Sequence, residues 1–142
     1  MNLHPLLKRC ALTGLWCLAT GVCLAATPAC PEPHTMQAEQ LHGQWIVQVT
    51  GQPHIWFLQL GPHPEHVGSL RGEINTGRLR LPVVADLDDG ELTLEESQDG
   101  QHISATWLGT VHAGSCGQSL LGQRQTANGE TTPFVMRRNL GR

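Results

Sequence analysis

Between residues 41 and 138 apolar side chains recur at every second position in short runs, and no stretch holds a helical period for more than a couple of turns. A period of two puts alternate residues on opposite faces of a strand, so each run buries one side and wets the other. The opening run, Leu41 to Val49, sets the pattern: Trp45, Val47 and Val49 share one face, and Gln44, Ile46 and Gln48 the other. Further strands are predicted over His54–Leu60, Val67–Ile74, Arg78–Ala85, Glu91–Glu96, His102–Val111, Gln118–Gln123 and Thr132–Arg138. Turn signals separate them, among them Asn75-Thr76-Gly77, the Asx-rich run Asp86 to Gly90, Asp99-Gly100 and Asn128-Gly129. Short connections between sequence neighbours favour an antiparallel meander. Eight such strands can close on themselves, so the fold expected is all-β: one domain, an eight-stranded antiparallel up-and-down barrel.

Within the runs, Leu79, Leu81, Val83 and Ala85 are expected to face inward, as are Gly68, Leu70, Gly72 and Ile74. Glycine recurs on inward faces at Gly72, Gly109 and Gly122, where it allows a strand to bend as a small barrel requires, or alternatively clears space for a ligand. Pro82 suggests an edge or a distortion. Glu91 to Glu96 has Leu92 and Leu94 inward, and Asp86 to Gly90 reads as a solvated turn rather than a calcium loop, its glycine falling one place early.

The first residues read as a processing signal. Lys8 and Arg9 precede an apolar run, Cys10 to Ala25, that carries no charge and is shorter than the ~20 residues a membrane helix needs. Residues 1–26 are therefore expected to be a cleaved signal peptide, which places the mature protein in the periplasm or outside the cell of a bacterium, with the membrane involved only during export. Cleavage would remove Cys10, Cys17 and Cys23 and leave Cys30 and Cys116, 86 residues apart. An exported chain with two cysteines can make one bridge. A reactive thiol or a metal ligand at Cys116 is the alternative. Residues 27–40, rich in proline, read as an extended N-terminal arm, with one helical turn starting at Thr35.

Composition narrows the partners. The net charge of −3 and the lack of any basic run argue against nucleic acid. A small apolar ligand or a protein remains, with no cofactor implied. His63-Pro64-Glu65-His66 offers two imidazoles but no third ligand held by a defined element, so a loop is expected rather than a metal site. Catalytic signatures are missing: Gly114-Ser115-Cys116-Gly117 lacks the nucleophile-elbow spacing. Glu95 and Glu96, as strand neighbours, point to opposite faces and cannot flank one bond. The chain is expected not to be an enzyme. Where apolar residues fall on both faces of one strand, at Trp56 and Phe57, a binding surface is expected, extended by His63 and His66.

The entry Leu41-His42-Gly43-Gln44-Trp45, the strand count and a basic residue on the final strand resemble the calycin barrels, the lipocalins and avidins among them. The proline-containing arm leading into that entry is similar to the small periplasmic inhibitors of secreted bacterial metalloproteases. The resemblance implies a binding function, or inhibition through the arm, with a structural envelope role as a third reading. The absence of tyrosine departs from an avidin-like biotin pocket, and the Cys30–Cys116 spacing from the short bridge of the inhibitors. Parity from Phe134 and Met136 puts Arg138 on the inward face and Arg137 outside, so Arg138 is expected to close the barrel over Trp45.

Overall fold

In the computed structural model, which describes residues 29–141, eight strands run in chain order around a closed antiparallel barrel. They are β1 (Gly43–Val49), β2 (Trp56–Pro62), β3 (Leu70–Asn75), β4 (Arg80–Asp88), β5 (Glu91–Ser97), β6 (Ile103–Val111), β7 (Ser119–Thr126) and β8 (Thr131–Arg138). Every strand pairs with its sequence neighbour, and β1 meets β8 with Trp45 opposite Arg138 and Val47 opposite Met136. The expected signal peptide, residues 1–26, lies outside the described residues.

The alternation read from the sequence is the alternation of burial. Trp45, Val47 and Val49 of β1 are buried, as are Leu58 and Leu60, Leu92 and Leu94, and Trp107 and Val111. Their side chains fill the barrel as a core whose axis carries Trp45 low down and Trp107 above, the latter edge-on to Phe134 at 5.0 Å between ring centroids. Such aromatic contacts add about 0.5–1.5 kcal/mol beyond area burial. Outward positions of β3 to β5 carry Arg71, Glu73, Arg80, Asp86 and Glu95, so the outer wall has no continuous apolar band of the kind lipid requires. No helix among the described residues is long and apolar enough to cross a membrane.

The inward glycines serve close approach of neighbouring strands. A Cβ on Gly72 would lie 1.9 Å from the carbonyl oxygen of Gln59, and one on Gly122 would lie 2.0 Å from that of Leu108. Gly109 and Gly122 face each other across β6 and β7, and Phe134 occupies the room beside Gly109. These positions tighten the wall rather than empty the interior.

Several boundaries differ from the sequence reading. The strand expected from Val67 starts at Leu70, because Gly68 takes φ +86°, and Val67 is fully exposed. Leu79, expected inward, is 53% exposed because it belongs to the β3–β4 turn, not to the strand. Gly61 and Pro62 extend β2 opposite Arg71 and Leu70. Asp86 to Asp88 stay in β4, and the turn contracts to Asp89 and Gly90, both at positive φ. Pro82 lies opposite Glu73 in a closed ladder with no edge.

The arm is more structured than an extended segment. It makes two short 3-10 turns, Pro33–Thr35 and Ala38–Leu41, and Gln37 rather than Thr35 precedes the second, its N–H donating to Gln40 Oε1 at 2.7 Å. Met36, Ala38 and Leu41 are buried and join the core from below. Pro33 sits on Gly90, and Met36 on Gly117, where a Cβ would collide with the thioether. Cys30 pairs with Cys116, their Cα atoms 4.6 Å apart. One end of the barrel thus has a floor.

Candidate functional site at the open mouth

The two ends of the barrel are built differently. The floor is sealed where β1 begins and β8 ends. There Trp45 donates its indole N–H to the Leu41 carbonyl at 2.9 Å, and the Arg138 guanidinium lies 4.2 Å from the centre of the Trp45 ring. Arg138 also donates to the carbonyl oxygens of Gln40 and His42, tying the last strand to the arm. Burial lowers the pKa of this guanidinium from its ordinary value, yet a group that starts so high stays charged. Arg137 is exposed. Parity, the same reasoning that put Arg138 inside, explains the difference.

At the opposite end, the turns after β1, β3 and β5, with Arg124 of β7, surround a cavity of about 250 Å³. Trp56 and Leu81 form its apolar wall, Leu79 and Arg78 lean in from the β3–β4 turn, and Glu96 and Arg124 make its base. That turn is fixed by its own side chains: Thr76 Oγ1 accepts the N–H groups of Arg78 and Leu79, and Asn75 Oδ1 accepts that of Gly77.

Glu96 is the one buried charged residue of the described chain, 1% exposed. Inward parity continues from Leu92 and Leu94, and a register irregularity follows between Glu96 and Ser97. Its carboxylate is saturated. Oε2 accepts the Trp107 indole N–H at 2.9 Å and Arg124 Nε at 3.1 Å, while Oε1 accepts Arg124 Nη2 at 2.6 Å and Ser104 Oγ at 3.2 Å. The bidentate geometry is the one a guanidinium fork matches to a carboxylate. Arg124 also stands 5.4 Å from the Trp107 ring centre and 5.6 Å from that of Trp56, and the two indoles meet edge-on at 6.0 Å. This interlocked group separates the packed interior from the mouth.

Sequence reasoning missed this group, although its signal was present. An inward carboxylate two positions beyond Leu94 requires an inward cation, and Leu120 and Gly122 point by the same parity to Arg124. The strand read as ending at Gln123 stopped one residue short of it.

The expected surface of Trp56, Phe57, His63 and His66 is not one surface. Trp56 faces into the mouth, Phe57 lies on the outer wall, 46% exposed, and His63 and His66 follow the far end of β2 near the floor. Adjacent strand residues diverge, and a seven-residue strand separates its two loops by roughly 20 Å. The histidine loop is ordered by itself: His63 Nδ1 accepts the N–H groups of Glu65 and His66, both at 3.1 Å, and the two rings lie 4.5 Å apart. No group of three or more metal-ligating side chains occurs among the described residues. Glu95 and Glu96 point to opposite faces, one outward and one into the base of the mouth.

No family model matches the chain, and no curated protein matches it.

Proposed function

We propose that the chain is an exported, non-enzymatic binding protein with a calycin-like barrel that holds a small, largely apolar ligand at its open mouth. The observation that carries this reading is the asymmetry of the ends. The floor is sealed by the arm and the Cys30–Cys116 pair, whereas the mouth keeps a cavity with Trp56 and Leu81 in its wall and a few converging polar groups. A concave, mainly preformed site with fixed turns and a small number of oriented polar groups is the form that small-molecule sites take. Inhibition through the arm is less favoured, since the arm is pinned from Cys30 to Leu41 by the cysteine pair and by buried Met36, Ala38 and Leu41.

Native mass spectrometry of the protein purified from its own compartment tests the proposal. A retained small molecule that is lost in Leu79→Trp, which fills the mouth, supports it. A co-purifying protein unaffected by Leu79→Trp, or a ligand retained equally by the variant, contradicts it.

A further inference from the structure

The chemistry at the mouth narrows the ligand class. Resting on the reading that the mouth is the binding site, we infer that it selects a small organic anion with a flat apolar body, such as an aromatic carboxylate. Three observations lead there. First, the carboxylate in the base is unavailable to a cationic ligand, because both Glu96 oxygens already accept two hydrogen bonds each, which is the capacity of the group. Second, donors are left over. Arg124 uses Nε and Nη2 on Glu96, and its Nη1 makes no hydrogen bond among the described residues. Arg78, at the rim, forms no ion pair among them either. With Glu96 and Arg124 cancelling, Arg78 sets the sign of the cavity as positive. Third, Trp56 and Leu79 offer an aromatic face and an aliphatic edge on the same cavity, suited to a ring.

In this arrangement the ring of the ligand lies against Trp56 and Leu79, and its carboxylate reaches Arg78 and the unused Nη1 of Arg124. A guanidinium pairs with a carboxylate through two parallel N–H donors, so charge and planarity are read together. Neutral analogues lose those charge-assisted bonds, which are the stronger ones.

The test compares three probes on the full chain: naphthalene-2-carboxylate, the isosteric naphthalene-2-carboxamide, and naphthalen-2-ylmethylammonium. The readout is the indole N–H resonance of Trp56, assigned by its loss in Trp56→Phe. The carboxylate is expected to shift it saturably and to bind at least about tenfold more tightly than the carboxamide, with the ammonium weakest. In Arg78→Gln, a change on an exposed turn, the preference for the carboxylate over the carboxamide should fall below about threefold. Equal affinity for carboxylate and carboxamide, a preference that survives Arg78→Gln, or tightest binding of the ammonium overturns the inference while leaving the mouth as a binding site. Failure of every probe to move Trp56, or identical shifts in Leu79→Trp, overturns the mouth reading itself.

Discussion

Replacing Arg124 by methionine keeps most of the side-chain bulk and removes the charge that Glu96 faces. The carboxylate would then be left 1% exposed with only the Trp107 and Ser104 donors. Breaking a buried pair from one side costs about 3–5 kcal/mol, because an uncompensated charge stays in the interior. That is a large part of the roughly 5–15 kcal/mol a domain of this kind has. The converse variant, Glu96→Leu, leaves a guanidinium whose side chain keeps 15% exposure and can hydrate in part, so its cost should be smaller. The double variant Glu96→Leu/Arg124→Met removes both charges and should recover most of the Arg124→Met loss, remaining about 1–3 kcal/mol below the parent because the Trp107 indole N–H loses its acceptor. Urea unfolding followed by tryptophan fluorescence measures all three. High salt should not rescue Arg124→Met, because buried pairs are poorly screened. An Arg124→Met cost under about 1 kcal/mol, or a double variant as unstable as Arg124→Met, would refute the coupling drawn here.

Further predictions follow from the wall, the floor and the turns. Gly122→Ala drives a Cβ into the backbone of Leu108 and should abolish folding or cost several kcal/mol, whereas Gly61→Ala, with nothing within 4 Å, should change the thermal midpoint little. Arg138→Ala should lose about 2–3 kcal/mol, from the Trp45 stacking and the bonds to the Gln40 and His42 carbonyls, and should alter Trp45 emission, while Arg137→Ala does neither. Cys116→Ser should lower stability by a couple of kcal/mol, the chain-entropy figure of about 4–5 kcal/mol for an 86-residue separation being an upper value, and alkylation of unreduced protein should find no free Cys30 or Cys116. In the β5–β6 turn the hydrogen bond between His102 Nδ1 and Asp99 raises the His102 pKa above its ordinary value and depresses that of Asp99. What this pair contributes is complete below the unfolded histidine pKa and above the unfolded aspartate pKa. It is lost as pH rises through the His102 titration or falls through that of Asp99. A proton NMR titration should find the His102 midpoint elevated, and Asp99→Asn should bring it down.

How far the sequence reaches can be seen from particular residues. Period-two alternation placed Trp45, Leu70, Ile74 and Leu94 inside, because a one-residue slip would turn every core residue outward and the register is therefore strongly specified. The same parity reached Arg138. Ends were less legible, since Gly68 and Leu79 continue an alternating pattern that the backbone has already left for a turn. The mouth stayed hidden because it is assembled across strands: Trp56 from β2, Leu81 from β4, Glu96 from β5 and Arg124 from β7 become neighbours only once the sheet has closed. Pairing Phe57 and the histidine loop with Trp56 failed for the same reason, as proximity in sequence crossed both the wall and the length of a strand.

The floor also settles which way the molecule would point. The arm at Cys30 and the end of β8 at Asn139, whose N–H donates to the Gln44 carbonyl, leave the barrel from the same side. An affinity tag, a reporter domain or a surface linkage joined next to Cys30 or Asn139 would therefore start beneath the floor, with the mouth directed away from it. Immobilised at either of these two positions, the barrel would turn its mouth to solution, with Trp56, Arg78 and Arg124 facing outward.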